Sequence, residues 1–271
     1  MRIRHDLPPM LDYHKAKELL WDPRKISLVQ DKKDWASLNG AQREATLQLC
    51  SLFHVGEEAV AHDLSPLLIA IRREGNHLED EMFLTAQLFE EAKHLEWFDR
   101  WFDEVVGKPF EMGSFLGESY RKIFELELPR VLNKLLTDHS PQAQAEAVVT
   151  YHMIIEGVLA ETGYHGFSRA LKEKNLMPGL VEGIRYVQQD EARHIAFGIY
   201  LLQRLVEQDR AIWDVIQHRL NELLPLATGL IQESFDFYDG QMPFGLSVEE
   251  FVSYAAKQYS FRVEAIERAL S

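Results

Sequence analysis

Between Gly40 and Ile71 the apolar residues Leu49, Leu52, Phe53, Val60, Leu64, Leu67 and Leu68 recur at spacings of three and four. This pattern predicts a long helix with one buried stripe, and Gly75-Asn76 breaks it. A second helix is expected from Leu78 to Val106, stopped by Gly107-Lys108-Pro109, and a third from Ser114 to Thr137 with Pro129 as a kink point. A fourth is expected from Pro141, suited to a first turn, to Glu173, and a fifth from Gly179 to Glu207. Two more follow at Ala211 to Tyr238 and Ser247 to Ala269. No run alternates as a strand would. Residues 1–39 read as an extended arm with a short helix at Tyr13 to Trp21 that ends at Asp22-Pro23. The expected fold is all-α: one domain over residues 1–271, in which long helices joined by short breaks form a helical bundle with mostly antiparallel neighbours.

Composition changes this picture little. Hydrophobic residues are 46% and charged residues 27% of the 271, which suits an ordinary globular chain with a sizeable core. The net charge of -14 repels phosphate backbones and anionic membranes, so neither nucleic acid nor membrane is an expected partner. The single cysteine, Cys50, excludes an internal disulfide framework and a thiolate-rich zinc site, and is expected in the core. No apolar run resembles a signal peptide or reaches the roughly 20 residues that span a bilayer. The expected location is cytoplasmic.

The candidate chemistry lies in a repeat. The second helix carries Glu90-Glu91-Ala92-Lys93-His94 and the fifth Asp190-Glu191-Ala192-Arg193-His194. Glu and His three apart share a helix face, where both can ligate one cation. One such pair is weak evidence; two on long helices match the ligand pattern of ferritin-like dimetal bundles, a four-helix core with additional helices around it, which adds one Glu from each of two further helices. The fourth helix supplies Glu156 within Tyr151-His152-Met153-Ile154-Ile155-Glu156-Gly157, an apolar stretch where an unpartnered acid is costly. The first supplies Glu57, on the stripe of Phe53, Val60 and Leu64, in preference to Glu58, which shares its stripe with His54 and His62. Four carboxylates and two imidazoles suit iron or manganese better than zinc or copper. Asp190 is expected to hold His94 and Glu90 to hold His194. Lys93 and Arg193 are expected in ion pairs on the outer face. His62, His77, His139, His152, His165 and His218 lack the paired spacing and read as ordinary histidines.

At these residues the chain resembles the ligand-binding oxidases related to the small subunit of ribonucleotide reductase. The segments that carry the resemblance are Gly56-Glu57-Glu58-Ala59-Val60, Phe89-Glu90-Glu91-Ala92-Lys93-His94, Glu156-Gly157-Val158-Leu159-Ala160 and Asp190-Glu191-Ala192-Arg193-His194. The resemblance implies a manganese–iron cofactor, with manganese at Glu57, Glu91 and His94, iron at Glu156, Glu191 and His194, and Glu91 as a bridge. Two irons are a second possible loading. It also implies dioxygen as oxidant and a long-chain fatty acid on the metals, with Ala160 and Tyr164 as candidate contacts to the bound group. A Tyr151–Val60 ether crosslink and a homodimer complete what it implies. A different register would move the pair to Glu58 and Ala61; the helix face favours Glu57 and Val60.

Two rival readings stay open. A ribonucleotide reductase small subunit usually carries a radical tyrosine four residues after the first motif's His, where this chain has Phe98, and a flexible tail where the final residues here read as helix. A metal- or lipid-binding protein without turnover would use the same six ligands.

Overall fold

The computed structural model describes residues 2–108, 111–238 and 242–270, all helical or in short connections, with no strand among them. The helices are α1 (Pro8–Glu18), α2 (Val29–Ser37), α3 (Gly40–Asp63), α4 (Ser65–Glu74), α5 (Leu78–Trp101), α6 (Glu118–Arg121), α7 (Leu128–Lys134), α8 (Pro141–Val148), α9 (Glu161–Ala170), α10 (Pro178–Gln208), α11 (Ile212–Asp236) and α12 (Val248–Glu267). Wide π-helical turns lie at Phe102–Val106 and Lys122–Glu127 and, longest, at Val149–Ala160, where they join α8 to α9. The predicted helices are therefore present, and three differ from expectation in an instructive way.

The first is bent. Pro66, in the first turn of α4, has no N–H to continue the hydrogen-bond ladder of α3, so the expected Gly40–Ile71 helix becomes two pieces. The third breaks into α6, a π turn and α7, and Pro129 lies just beyond that wide turn. The fourth spends twelve residues in π geometry. That choice has a consequence for the site. In an α-helix, residues five apart point about 140° away from each other, whereas the i→i+5 closure of a π turn brings them toward one face. Tyr151 and Glu156 are five apart.

Residues 2–39 are more ordered than an extended arm with one short helix at Tyr13 to Trp21, and that helix lies earlier, at Pro8–Glu18. They form α1, a 3-10 turn at Pro23–Lys25 and α2, and α1 packs on α5 and α10. Trp21, after α1, is buried. Gly107 ends the second predicted helix in a left-handed conformation (φ 65°); Pro109, also expected there, lies outside the described residues.

The inner faces of α3, α5, the α8–α9 helix and α10 enclose the site. One large apolar cluster spans α3 to α12 around Phe83, Tyr151, Ile154 and Phe197. A second, under α2 and the connection that precedes it, gathers Trp21, Trp97, Phe98, Trp101 and Cys50. Where α5 and α10 meet, a Cβ on Gly183 would lie 2.1 Å from Trp97, so only glycine lets these helices approach. The start of α10 has no local cap. Asp31 of α2, fully buried, accepts from the N–H groups of Gly179 (2.8 Å) and Leu180 (2.7 Å) instead. Replacing Asp31 with Ala is expected to cost about 1–2 kcal/mol, typical of a lost helix cap, read as a lower denaturation midpoint at unchanged m-value; an unaltered midpoint would contradict the role.

Candidate metal centre

Six side chains converge in the bundle interior. Glu57 comes from α3, Glu91 and His94 from α5, Glu156 from the π-helical stretch, and Glu191 and His194 from α10. All six are buried, the most exposed being Glu57 at 7%. Glu58, the register alternative, is exposed. The six form two overlapping groups, Glu57, Glu91, His94 and Glu191, and Glu91, Glu156, Glu191 and His194; within each, one donor atom per residue lies within 4.8 Å of the others. Glu191 joins Glu91 in both groups, which the spacing argument had not anticipated.

The imidazoles are oriented from behind. His94 Nε2 lies 3.1 Å from Asp190 Oδ2 and His194 Nε2 lies 2.9 Å from Glu90 Oε2. The ring nitrogen facing a carboxylate keeps a proton, so when a metal displaces the other proton each Nδ1 presents its lone pair inward. Those two Nδ1 atoms, with Glu156 Oε2 and Glu191 Oε2, are buried and make no hydrogen bond. Unpartnered buried donors and acceptors of this kind call for a ligand, and hard carboxylate oxygens with imidazole nitrogens fit two divalent first-row cations.

The second layer corrects one expectation. Lys93 and Arg193 are not on the outer face but buried, at 4% and 5% exposure. Lys93 Nζ lies 2.7 Å from Asp190 Oδ2, and Arg193 Nη2 donates to Glu90 Oε1 and Asp190 Oδ1 at 2.5 Å each. Trp21 Nε1 adds a fourth contact to Asp190 at 2.7 Å. Two acids are thus matched by two bases behind the histidines. Sequence reasoning missed Trp21, for which nothing local signals an inward role. It also missed Gln87, whose place one turn before Glu91 on the same face was a readable sign.

Electrostatics follow the geometry. Burial pushes the Glu57 carboxyl up to about 8, with Glu91 and Glu191 adding to the rise against His94. Burial and neighbouring Glu191 also raise Glu156 well above the usual range. For Glu91 burial is outweighed by His194 and His94, which hold it low. Burial of the two imidazoles is likewise outweighed, by Glu57 and Asp190 at His94 and by Glu191 and Glu91 at His194, so both titrate well above 6.5. Asp190 stays below the usual range because His94 and Lys93 overcome its burial.

Tyr151, 1% exposed, donates to Glu91 Oε1 at 2.5 Å. An apolar cavity of about 150 Å³ starts at Glu57, Glu91, Glu156 and Glu191 and is lined by Tyr151, Val60 and Ala160. It runs along α3 as far as Ala45. Tyr164 is buried beside Phe53 (ring centroids 5.2 Å apart), its hydroxyl without a partner. Phe98, fully buried, also stacks on Phe53, at 5.5 Å. His152, also fully buried, lies beside Gln87.

A helical bundle with paired carboxylate–imidazole groups defines the dimetal-carboxylate class of ferritin-like proteins. The chain belongs to the ribonucleotide reductase small chain family, whose model matches residues 11–260, and within it groups with the ligand-binding oxidases. It is similar to an R2-like ligand-binding oxidase with an aerobically reconstituted manganese–iron cofactor, at 37% identity and a TM-score of 0.94 over 98% of this chain and 95% of that one. A valine-to-isoleucine variant of such an oxidase, with an anaerobically reconstituted manganese–iron cofactor, matches at 37% identity and a TM-score of 0.93 over 98% and 96%. A tyrosine-to-phenylalanine variant matches at 36% and 0.94 over 98% and 95%. These likenesses place the chain among oxidoreductases. No described helix is long and apolar enough to cross a membrane.

Metal binding at this site must displace protons. Without metals, Glu57 keeps its proton up to about pH 8 and the imidazoles keep theirs above 6.5. Both kinds of group hold more protons folded than unfolded, so the metal-free fold loses stability as pH rises. Metal affinity should instead rise with pH up to about 8. Calorimetric titration at pH 6.5 and 8.5 with manganese or iron(II), under anaerobic conditions, should show proton release and the tighter binding at 8.5; equal affinity without proton release would contradict the site.

Proposed function

We propose that this chain is a dioxygen-dependent oxidase with a manganese–iron pair at the six converging side chains. Manganese belongs with Glu57, Glu91 and His94, and iron with Glu156, Glu191 and His194, with Glu91 between them; the same set accepts two irons. When bound, the metal pair supplies the reducing electrons for dioxygen and the oxidising power that a neighbouring group feels. The observation that carries the reading is that these buried donors open directly onto an apolar cavity walled by Tyr151 and Val60.

The cavity supports a hydrophobic ligand. Its wall follows α3 from Val60 to Ala45, fifteen residues and roughly 22 Å of helix, the reach of a long alkyl chain. A long-chain fatty acid fits, its carboxylate at the metals and its tail along this wall, with Ala160 in contact. Tyr164 has an unspent hydroxyl near the same end. The chain's apolar walls keep water from the reacting groups.

Tyr151 and Val60 form the ether. The phenol loses its O–H hydrogen, the valine loses one C–H hydrogen from its branched carbon, the O–C bond forms, and dioxygen is the final acceptor of both electrons and both protons. Valine's tertiary C–H is weaker than any alanine at that position would offer. The phenol proton already points to Glu91, so it has an acceptor when it leaves. Phe98 has no hydroxyl to hold a stable radical, which favours this reading over a ribonucleotide reductase subunit. By resemblance the protein is a homodimer.

Intact-mass measurement tests the chemistry. Aerobic loading with manganese and iron should remove the mass of two hydrogen atoms and join the peptides of Tyr151 and Val60. The Tyr151→Phe variant should load metals and lose no mass; loss of two hydrogens in that variant would refute the assignment.

A further inference from the structure

Gln87 and His152 are both fully buried and take no part in the functional reading above. Gln87 lies one turn before Glu91 on α5, and His152 follows Tyr151 in the π-helical stretch. Gln87 Nε2 lies 3.0 Å from Tyr151 Oη, 3.3 Å from Glu156 Oε1 and 3.3 Å from His152 Nε2. Its Oε1 is 3.4 Å from His152 Nε2. The amide can face the site in only one sense. With metals bound Glu156 is an ionised ligand, and a reversed amide would set its carbonyl oxygen against that carboxylate, a buried acceptor against an acceptor. With nitrogen inward, its N–H groups meet the phenol oxygen and the carboxylate, and the imidazole backs the other edge.

We propose that Gln87 is the positioning residue for Tyr151. Its amide N–H occupies a lone pair of the phenol oxygen, which leaves Glu91 Oε1, 2.5 Å away, as the acceptor of the phenol's own proton. His152 has its Nδ1 unpartnered and fills the space behind the amide, closing off other orientations. Tyr151 is thereby held in one hydrogen-bonded geometry rather than left free to rotate in an apolar cavity. Small misplacements of a reacting group are expensive in rate, so this clamp sets how efficiently Tyr151 reacts. The inference rests on the reading of Tyr151 as the group that reacts.

The test uses Gln87→Met, similar in length and without a donor. Both chains are loaded with manganese and iron, metal content is measured, and the rate of two-hydrogen loss is followed by mass. The expected result is two metals retained and loss slowed about tenfold or more. Parental rate in a fully loaded variant overturns the proposal. A second measurement needs no variant at Gln87: the ultraviolet resonance Raman difference between the parental chain and Tyr151→Phe, both loaded without oxygen. Its tyrosine bands should report a phenol oxygen that both donates and accepts; a purely donating phenol overturns the clamp even where Gln87→Met does not fold. If the parental chain loses no hydrogens on aerobic loading, the reactive-tyrosine reading fails, and the Raman result still decides whether Gln87 holds the phenol.

Discussion

Four carboxylates cannot share an apolar interior unless positive charge is buried with them. Most features of this chain follow from how that constraint is met. The second layer balances itself, Glu90 and Asp190 against Lys93 and Arg193. Glu57, Glu91, Glu156 and Glu191 are left around two imidazoles whose inward nitrogens make no hydrogen bond, although Glu191 Oε1 lies 3.3 Å from His94 Nδ1 and Glu91 Oε1 3.0 Å from His194 Nδ1. Two divalent cations would neutralise the four acids and occupy those nitrogens together. Burial, with the neighbouring acids adding to it, raises the carboxyl groups of Glu57 and Glu156.

The backbone serves this charge arrangement. Twelve residues of π geometry carry Tyr151 and Glu156 toward one face, a departure from α-helix of the kind often found at functional sites. Gly183 lets α10 press against Trp97 of α5, so the two motif helices come close enough for His94 and His194 to lie 6.0 Å apart between ring centroids. The N-terminal segment takes part as well, because Trp21 completes the contacts to Asp190. The site is thus assembled from nearly the whole length of the chain.

Much of this was legible in the residues. Two Glu-X-X-His repeats at helical spacing, plus Glu156 stranded among apolar neighbours, were enough to place the convergence, and the stripe containing Val60 singled out Glu57. What stayed hidden has physical reasons. Lys93 and Arg193 look like surface bases because their burial depends on acids brought near by another helix. Residues 1–39 have weak periodicity, since α1 has little amphipathic contrast, so its helix was placed too late, at Tyr13 to Trp21, and α2 was read as part of an arm. Pro66 bends the first helix, but a proline at a turn of a strong pattern is easily taken as tolerated. The π geometry leaves no mark in hydrophobic spacing.

The central claim is that two metal ions sit between these helices on the six named side chains. Anomalous X-ray scattering at the manganese and iron absorption edges, on crystals of chain loaded with both metals, addresses it directly. The account predicts two peaks in the bundle interior, a manganese-rich one beside Glu57 and His94 and an iron-rich one beside Glu156 and His194, with Glu91 touching both. A single peak, or metal bound elsewhere while the six side chains pair only with one another, would contradict it.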